Sequence, residues 1–370
     1  MAGRRRALAN VALAALAFVV AGALGEVLVR LLYKQETVLF PRYHTDYRYG
    51  RYTIRGTWPN AEYWMTSVDG SWKVVTNSRG FRNTKEFAVP KPASVFRVLS
   101  LGDSHTQGYE VRQDFTFSAV LERFLNRHAI RAEVINAGVS GFSTAEALVF
   151  LENEGIRYAP DVVVLGFNAN DFEDNLKAGL FGLDQQNRLT EEKYEHLPGV
   201  GIQNVIYRFA VVRWLSENSY FYSLLFNNVW NFFKSRLAAG LPQSEAPGEI
   251  EYAVATSARL SAYQIELAAA LVERMNRFCA ERGMRFIVVD IPTLGGRYRS
   301  NSSVPQPLHE RLFAAGIELI DSHSLLASYE GIAELHLPHG YHHISEFTHT
   351  LIGLELGRRT LARVVRAETR

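Results

Sequence analysis

The chain of 370 residues has a single cysteine, Cys279. One thiol closes no internal disulfide, and no CxxC pair is present for redox or metal chemistry. Set in the helical pattern "LVERMNRFCAERGM", Cys279 reads as a small buried apolar residue. Charge of one sign is equally scarce. Lysine and arginine number 40 against 38 for aspartate and glutamate, a net charge of +2, which excludes an electrostatic nucleic-acid binder. The arginines after Leu356 read as the solvated face of a last helix. There is no Walker loop and no GxGxxG, so no nucleotide or other cofactor is expected. With 47% apolar residues and no internal repeat, the chain has room for one large α/β domain with additions.

One long apolar run stands out. "MAGRRRALANVALAALAFVVAGALGEVLVRLLYK" places three arginines before an almost uninterrupted apolar stretch from Ala7 to Leu24. That is close to the ~20 residues that cross a bilayer. Arginines before such a run stay in the cytoplasm, so residues 1–34 predict a single-pass anchor with everything after Glu26 outside. The rival is a cleaved signal peptide, with small residues at Ala21-Gly22-Ala23. The apolar pattern resumes at once in "VLVRLLYK", which favours an uncleaved anchor and a membrane as the partner of this segment.

Residues 35–94 are aromatic-rich and irregular and predict an extended lead-in with hairpin character. From residue 95 to 370 short apolar strands alternate with amphipathic helices: "VFRVLSLG", "AEVINAGV", "DVVVLGFN" and "RFIVVDIP" are strands without a polar face. Such strands joined by helices predict a parallel sheet covered on both sides. An insertion at about 173–250 breaks the rhythm with "VIYRFAVVRWLSENSYFYSLLFNNVWNFF". Helical core, a lid, or a surface resting on the membrane all fit its density of aromatics.

Polar residues gather where the strands end. The first ends at Gly102-Asp103-Ser104, the second in "NAGVSGFST" around Gly138 and Gly141, the third in "GFNAND" with Asn168, Asn170 and Asp171. The carboxyl ends of parallel strands share one edge, where ligands are met. The last loop, "HLPHGYHHISEFTH", crowds His336, His339, His342, His343 and His349 together. Ester cleavage at serine needs a histidine within hydrogen-bond reach and donors aimed at the developing oxyanion. The Ser104 and Gly141 N–H groups and the Asn170 amide can supply them. A zinc site at the histidines is the metal alternative, disfavoured because Pro338 and Gly340 interrupt a helix there.

Taken together, "LGDSHTQG", "NAGVSGFS" and "GFNAND" resemble the first three blocks of the SGNH, or GDSL, hydrolase superfamily. The resemblance implies a flavodoxin-like three-layer α/β/α sandwich with a parallel sheet. It also implies Ser104 as nucleophile, Gly141 and Asn170 as oxyanion donors (Asn168 the runner-up), and no metal. In the fourth block His343, two residues before Ser345, matches the family's base, with His342 the alternative. The family's Asp before that His is missing: Gly340 stands in its place. A backbone carbonyl, Glu334 or a residue from elsewhere must then orient the imidazole. "NSRGFR" and "NDFEDN" are similar to a membrane-anchored bacterial branch. The implied protein is an extracytoplasmic, membrane-anchored serine esterase that cleaves or transfers an acyl group, acetyl foremost, on a polysaccharide, cell-wall glycan or small-molecule ester. The alternative, motivated by the missing Asp, is a weak or inactive relative that binds glycan.

Overall fold

Alternation within the strands builds the core. The computed structural model describes residues 2–194, 200–239, 260–296, 298–327, 329 and 331–368. The amino-terminal apolar run is one helix, α1 (Ala2–Leu32). The lead-in forms two antiparallel hairpins, β1 (His44–Tyr49) with β2 (Tyr52–Thr57) and β3 (Glu62–Ser67) with β4 (Gly70–Val75). The alternating region follows: β5 (Phe96–Leu101), α2 (Ser104–Gln107), α3 (Phe117–Arg127), β6 (Ala132–Asn136), α4 (Thr144–Asn153), β7 (Val162–Phe167) and α5 (Asp171–Ala178). A small hairpin, β8 (Phe181–Leu183) and β9 (Leu189–Glu191), precedes α6 (Val200–Ile206), α7 (Ala210–Asn218) and α8 (Tyr220–Ala239). The chain returns through α9 (Ala262–Ala280), β10 (Arg285–Asp290), the hairpin β11 (Thr293–Gly296) and β12 (Arg299–Asn301), α10 (Gln306–Ala314), β13 (Glu318–Ile320), α11 (Ser322–Leu326) and α12 (Glu346–Glu368).

The central sheet runs β13-β10-β7-β5-β6 with every neighbouring pair parallel. Counting only its strands in chain order, this is the 2-1-3-4-5 order of flavodoxin-like folds. Successive residues point to opposite faces. Leu99, Leu101, Ile135, Val163, Leu165 and Val288 pack under α4, α5, α9 and α10. Val98, Val134, Val164, Ile287 and Val289 pack under α3 and α12, with Leu121, Ile352 and Leu356. Both faces are dry, which is why these strands carry no polar stripe.

Helix α5 packs on α4 and α9, so the segment that departs from the alternation starts after Ala178 rather than at about residue 173. The expected end of that insertion, near residue 250, lies outside the described residues. The lead-in is a wall rather than a spacer. Phe40, Tyr43, Tyr63 and Met65 form one buried cluster with Tyr109, beside the first strand end, and Tyr207, beyond α6. Tyr43 stacks on Trp58 at 4.8 Å.

Candidate active site

Three strand ends meet at the point where the sheet order reverses, between β5 and β7. After β5 the chain turns at Asp103, whose carboxylate caps α2 by accepting from the His105 N–H at 2.9 Å. This puts Ser104, half-buried, on the first turn. The β6–α4 loop closes against it: the Val139 N–H bonds Gly102 O at 3.0 Å, and the Ser140 N–H bonds Gln107 Oε1 at 3.0 Å. Beyond β7, Asn170 Nδ2 donates to Asp103 Oδ2 at 3.0 Å. Asp171 accepts from Thr144 Oγ1 at 2.8 Å and from the Asn168 N–H at 2.9 Å, tying the third strand end to the second.

The histidine loop arrives from the other end of the chain. His336 and Ile344 form an antiparallel bridge, and the Leu337 N–H bonds His343 O at 2.9 Å. Arg112 grips Glu346 through Nε and Nη2 at 2.9 and 2.5 Å. These ties bring His343 Nε2 to 2.9 Å from Ser104 Oγ. His343 Nδ1 lies 3.0 Å from Oε2 of Glu110. A carboxylate only accepts, so Nδ1 donates and Nε2 is left to accept the Ser104 hydroxyl proton. The geometry is that of an activated serine: nucleophile, base, and a carboxylate holding the base's tautomer.

The other histidines go elsewhere. His342, the alternative base, is exposed, with Nδ1 on Leu337 O at 3.1 Å, away from Ser104. His339 bonds Asp69 through Nδ1 at 2.7 Å, His336 bonds Pro292 O at 3.0 Å, and His349 accepts from the Phe117 N–H at 3.1 Å. Four of the five histidines thus have separate partners, so the loop is not one ligand set. The carboxylate on His343 is Glu110, not Glu334.

Asn168 and Asn170 also separate. Asn168 is buried and donates to Ile291 O at 3.4 Å, while its Oδ1 accepts from the Asn170 N–H at 3.3 Å. Its side chain is spent on holding the turn. Asn170 is half-buried and gives Asp103 one of its two Nδ2 hydrogens, leaving the other for a ligand. Gly141 has φ +75, and a Cβ there would stand 2.5 Å from Arg55 Nη1, so Arg55 of β2 lies over this glycine. Its neighbours' N–H groups are taken, Ser140 by Gln107 and Phe142 by Val139 O.

Burial sets the charges around the serine. It pushes the Asp103 carboxyl up to about 6, against the opposing bonds from Asn170 and the His105 N–H. Asp171 is held well above the carboxylate range by burial and by Asp103 beside it. Burial, with His343 next to it, keeps His105 well below its usual range, so its ring is neutral and Nδ1 accepts from the Ile344 N–H at 3.5 Å.

Sequence reasoning missed Glu110 and the residue that sets it. Glu110 is buried at φ +57, a left-handed conformation unfavourable for a long side chain. Arg82 holds that turn: Nη1 donates to Gln107 O at 2.9 Å and to Gly108 O, and Nη2 to Val111 O at 2.6 Å. Burial pulls Arg82 down to about 10, which leaves it charged at neutral pH. The available signal was a lone acid between Tyr109 and Val111, in an otherwise uncharged stretch six residues beyond the serine.

Residues 100–309 match the GDSL-like Lipase/Acylhydrolase family. The chain belongs to this family. The matched segment carries Ser104, Glu110, Gly141 and Asn170, whereas His343 lies beyond it. An arylesterase of Vibrio mimicus is 32% identical over 75 residues, covering 20% of this chain and 38% of that protein. This GDSL-like chain therefore spans well under half the length of that relative. Among solved structures, a lipase/acylhydrolase from Enterococcus faecalis is 18% identical over 72% of this chain and 96% of its own, with a TM-score of 0.40. A catalytic mutant of an acetylxylan esterase from Geobacillus stearothermophilus is 12% identical over 71% of this chain and 93% of its own, with a TM-score of 0.37.

Proposed function

We propose that this GDSL-like protein is a serine esterase with a Ser104–His343–Glu110 triad. The observation that carries the reading is the continuous hydrogen-bonded line from Ser104 Oγ through both ring nitrogens of His343 to Glu110. Ser104 Oγ attacks the acyl carbonyl carbon as its proton passes to His343 Nε2. Glu110 stabilises the imidazolium that forms. The Ser104 and Gly141 N–H groups and Asn170 Nδ2 receive the oxyanion, each donor worth ~3–4 kcal/mol in the transition state. Collapse expels the alcohol, which takes the proton from Nε2, and leaves an acyl-serine. Water then completes hydrolysis; a sugar hydroxyl in its place completes transfer.

In this reading α1 is an uncleaved anchor, with Arg4, Arg5 and Arg6 in the cytoplasm and the hydrolase domain outside. Among the described residues Gly3–Leu32 is the one helix long and apolar enough to cross a membrane. That location favours an acylated, foremost acetylated, polysaccharide or cell-wall glycan as substrate. The alternative, an inert glycan-binding relative, is motivated by a base with no acid behind it, and Glu110 on Nδ1 weighs against it.

The test uses the full chain in detergent micelles, assayed for release of acetate from acetylated glycan and of alcohol from a small acetyl ester. A fluorophosphonate probe should label the wild type and not Ser104→Ala, which should also lose hydrolysis. Full activity in Ser104→Ala overturns the proposal.

A further inference from the structure

An exposed apolar face runs over α6, α7 and α8. It comprises Ile202, Val205, Phe209, Val211, Trp214, Leu225, Val229 and Phe232, each between 44% and 62% exposed. The steps are three or four residues within each helix, which places them in stripes. Exposed apolar stripes of this kind mark a surface that meets something apolar.

What it meets follows from where α8 begins. The carboxylate of Glu26, in α1, accepts from the Tyr220 and Phe221 N–H groups at 3.1 and 2.9 Å and from Ser219 Oγ at 2.7 Å. Arg30 bonds the same carboxylate at 2.7 Å and Asn218 O at 3.1 Å. Val29, Leu39 and Tyr220 form one buried cluster, and Phe221 lies against Gly25. The start of α8 is therefore pinned at a fixed level along α1.

That level is set by length. Glu26 stands twenty positions after Arg6. At 1.5 Å per residue they span about 30 Å, the thickness of a bilayer's hydrocarbon core. With Arg6 in the inner headgroups, Glu26 reaches the outer ones. Val27, Leu28, Leu31 and Leu32 continue apolar and exposed, so the outer boundary does not fall short of Glu26. Helix α8 thus starts, and α7 ends, at the level of the outer headgroups. Trp214 and the exposed Arg208 are residue types that settle there.

We propose that the apolar face of α6–α8 is seated in the outer headgroup layer of the bilayer that α1 crosses. This rests on reading α1 as an anchor, and the experiment separates the two. Nitroxides are placed one at a time at Val205→Cys and Trp214→Cys in the full chain, reconstituted in phosphatidylcholine–phosphatidylglycerol vesicles. Val19→Cys in α1 and Phe313→Cys in α10 serve as references; both native side chains are exposed, and the buried Cys279 stays unlabelled. Collisions with oxygen report lipid and collisions with a water-soluble nickel chelate report solvent. The expected oxygen-to-nickel ratio at 205 and 214 exceeds that at 313 several-fold, approaching that at 19. A ratio equal to that at 313, with 19 still high, overturns the seating and leaves the anchor standing. Protection from both probes at 205 and 214 means a protein cover, such as a second copy of this chain, and also overturns it. A low ratio at 19 overturns the anchor reading itself.

Discussion

Gly340 and Glu110 are complementary in space: a Cβ on Gly340 would stand 2.8 Å from Glu110 Oε1. Gly340 occupies the position, three residues before His343, where related sequences are expected to carry the orienting Asp. Its missing side chain leaves the room that the Glu110 carboxylate fills. The backbone at 340 is also left-handed, with φ +66, a conformation Asp tolerates better than most residues.

Glu110→Gln should therefore keep the fold and lower kcat by about 10³–10⁴-fold with little change in KM, because the amide no longer selects the productive tautomer of His343. Steady-state kinetics on a small acetyl ester decide it, and an unchanged kcat in Glu110→Gln removes the carboxylate from the mechanism.

The two adjacent histidines should behave oppositely. His343→Gln should abolish fluorophosphonate labelling of Ser104. His342→Gly should leave labelling and kcat within about twofold, since His342 is exposed and its φ of +54 suits glycine better than histidine. Labelling lost in His342→Gly would reassign the base.

Asn170→Ala and Asn168→Ala should part in the same way. Loss of an oxyanion donor at 170 should lower kcat by about 10²–10³-fold. At 168 the loss is of turn bonds to Ile291 O and the Asn170 N–H, so the expected result is a lower melting temperature, from a stability cost of about 1–3 kcal/mol. Equal kcat losses in both would mean that the whole turn had collapsed.

His349 predicts an acid limit to stability. Burial takes its ring down from 6.5 to about 3, with Phe117 donating to Nδ1. A folded value below the unfolded one means the contribution is complete above 6.5 and lost as pH falls towards 3. At pH 4.5 the loss is on the order of 2–3 kcal/mol. His349→Asn keeps an acceptor near the Phe117 N–H without a titrating ring. Melting of the two proteins at pH 7.5 and 4.5 should show a steeper acid loss in the wild type, and parallel curves would refute the assignment.

The sheet is legible in the sequence because strands buried on both faces are apolar through their middles, as "VVVLGF" and the "FIVV" of "RFIVVD" are. The proposed site residues Ser104, Gly141 and Asn170 are legible because each lies within a few residues of such a strand's end. Glu110 is not. Its meeting with His343 joins positions 233 apart, through a turn shaped by Arg82, and no spacing rule encodes it. The hairpin of β11 and β12 is hidden for a local reason: Gly295, Gly296 and the polar "RSN" carry no apolar alternation.

Because Glu110 follows Ser104 within one turn stapled by Arg82, two of the three groups of the proposed triad ride on a single piece of chain. Only the imidazole has to be delivered from outside, and one moving part suffices to arm or disarm the centre. Withdrawing His343 by an ångström or two would silence the serine while its carboxylate stayed in place.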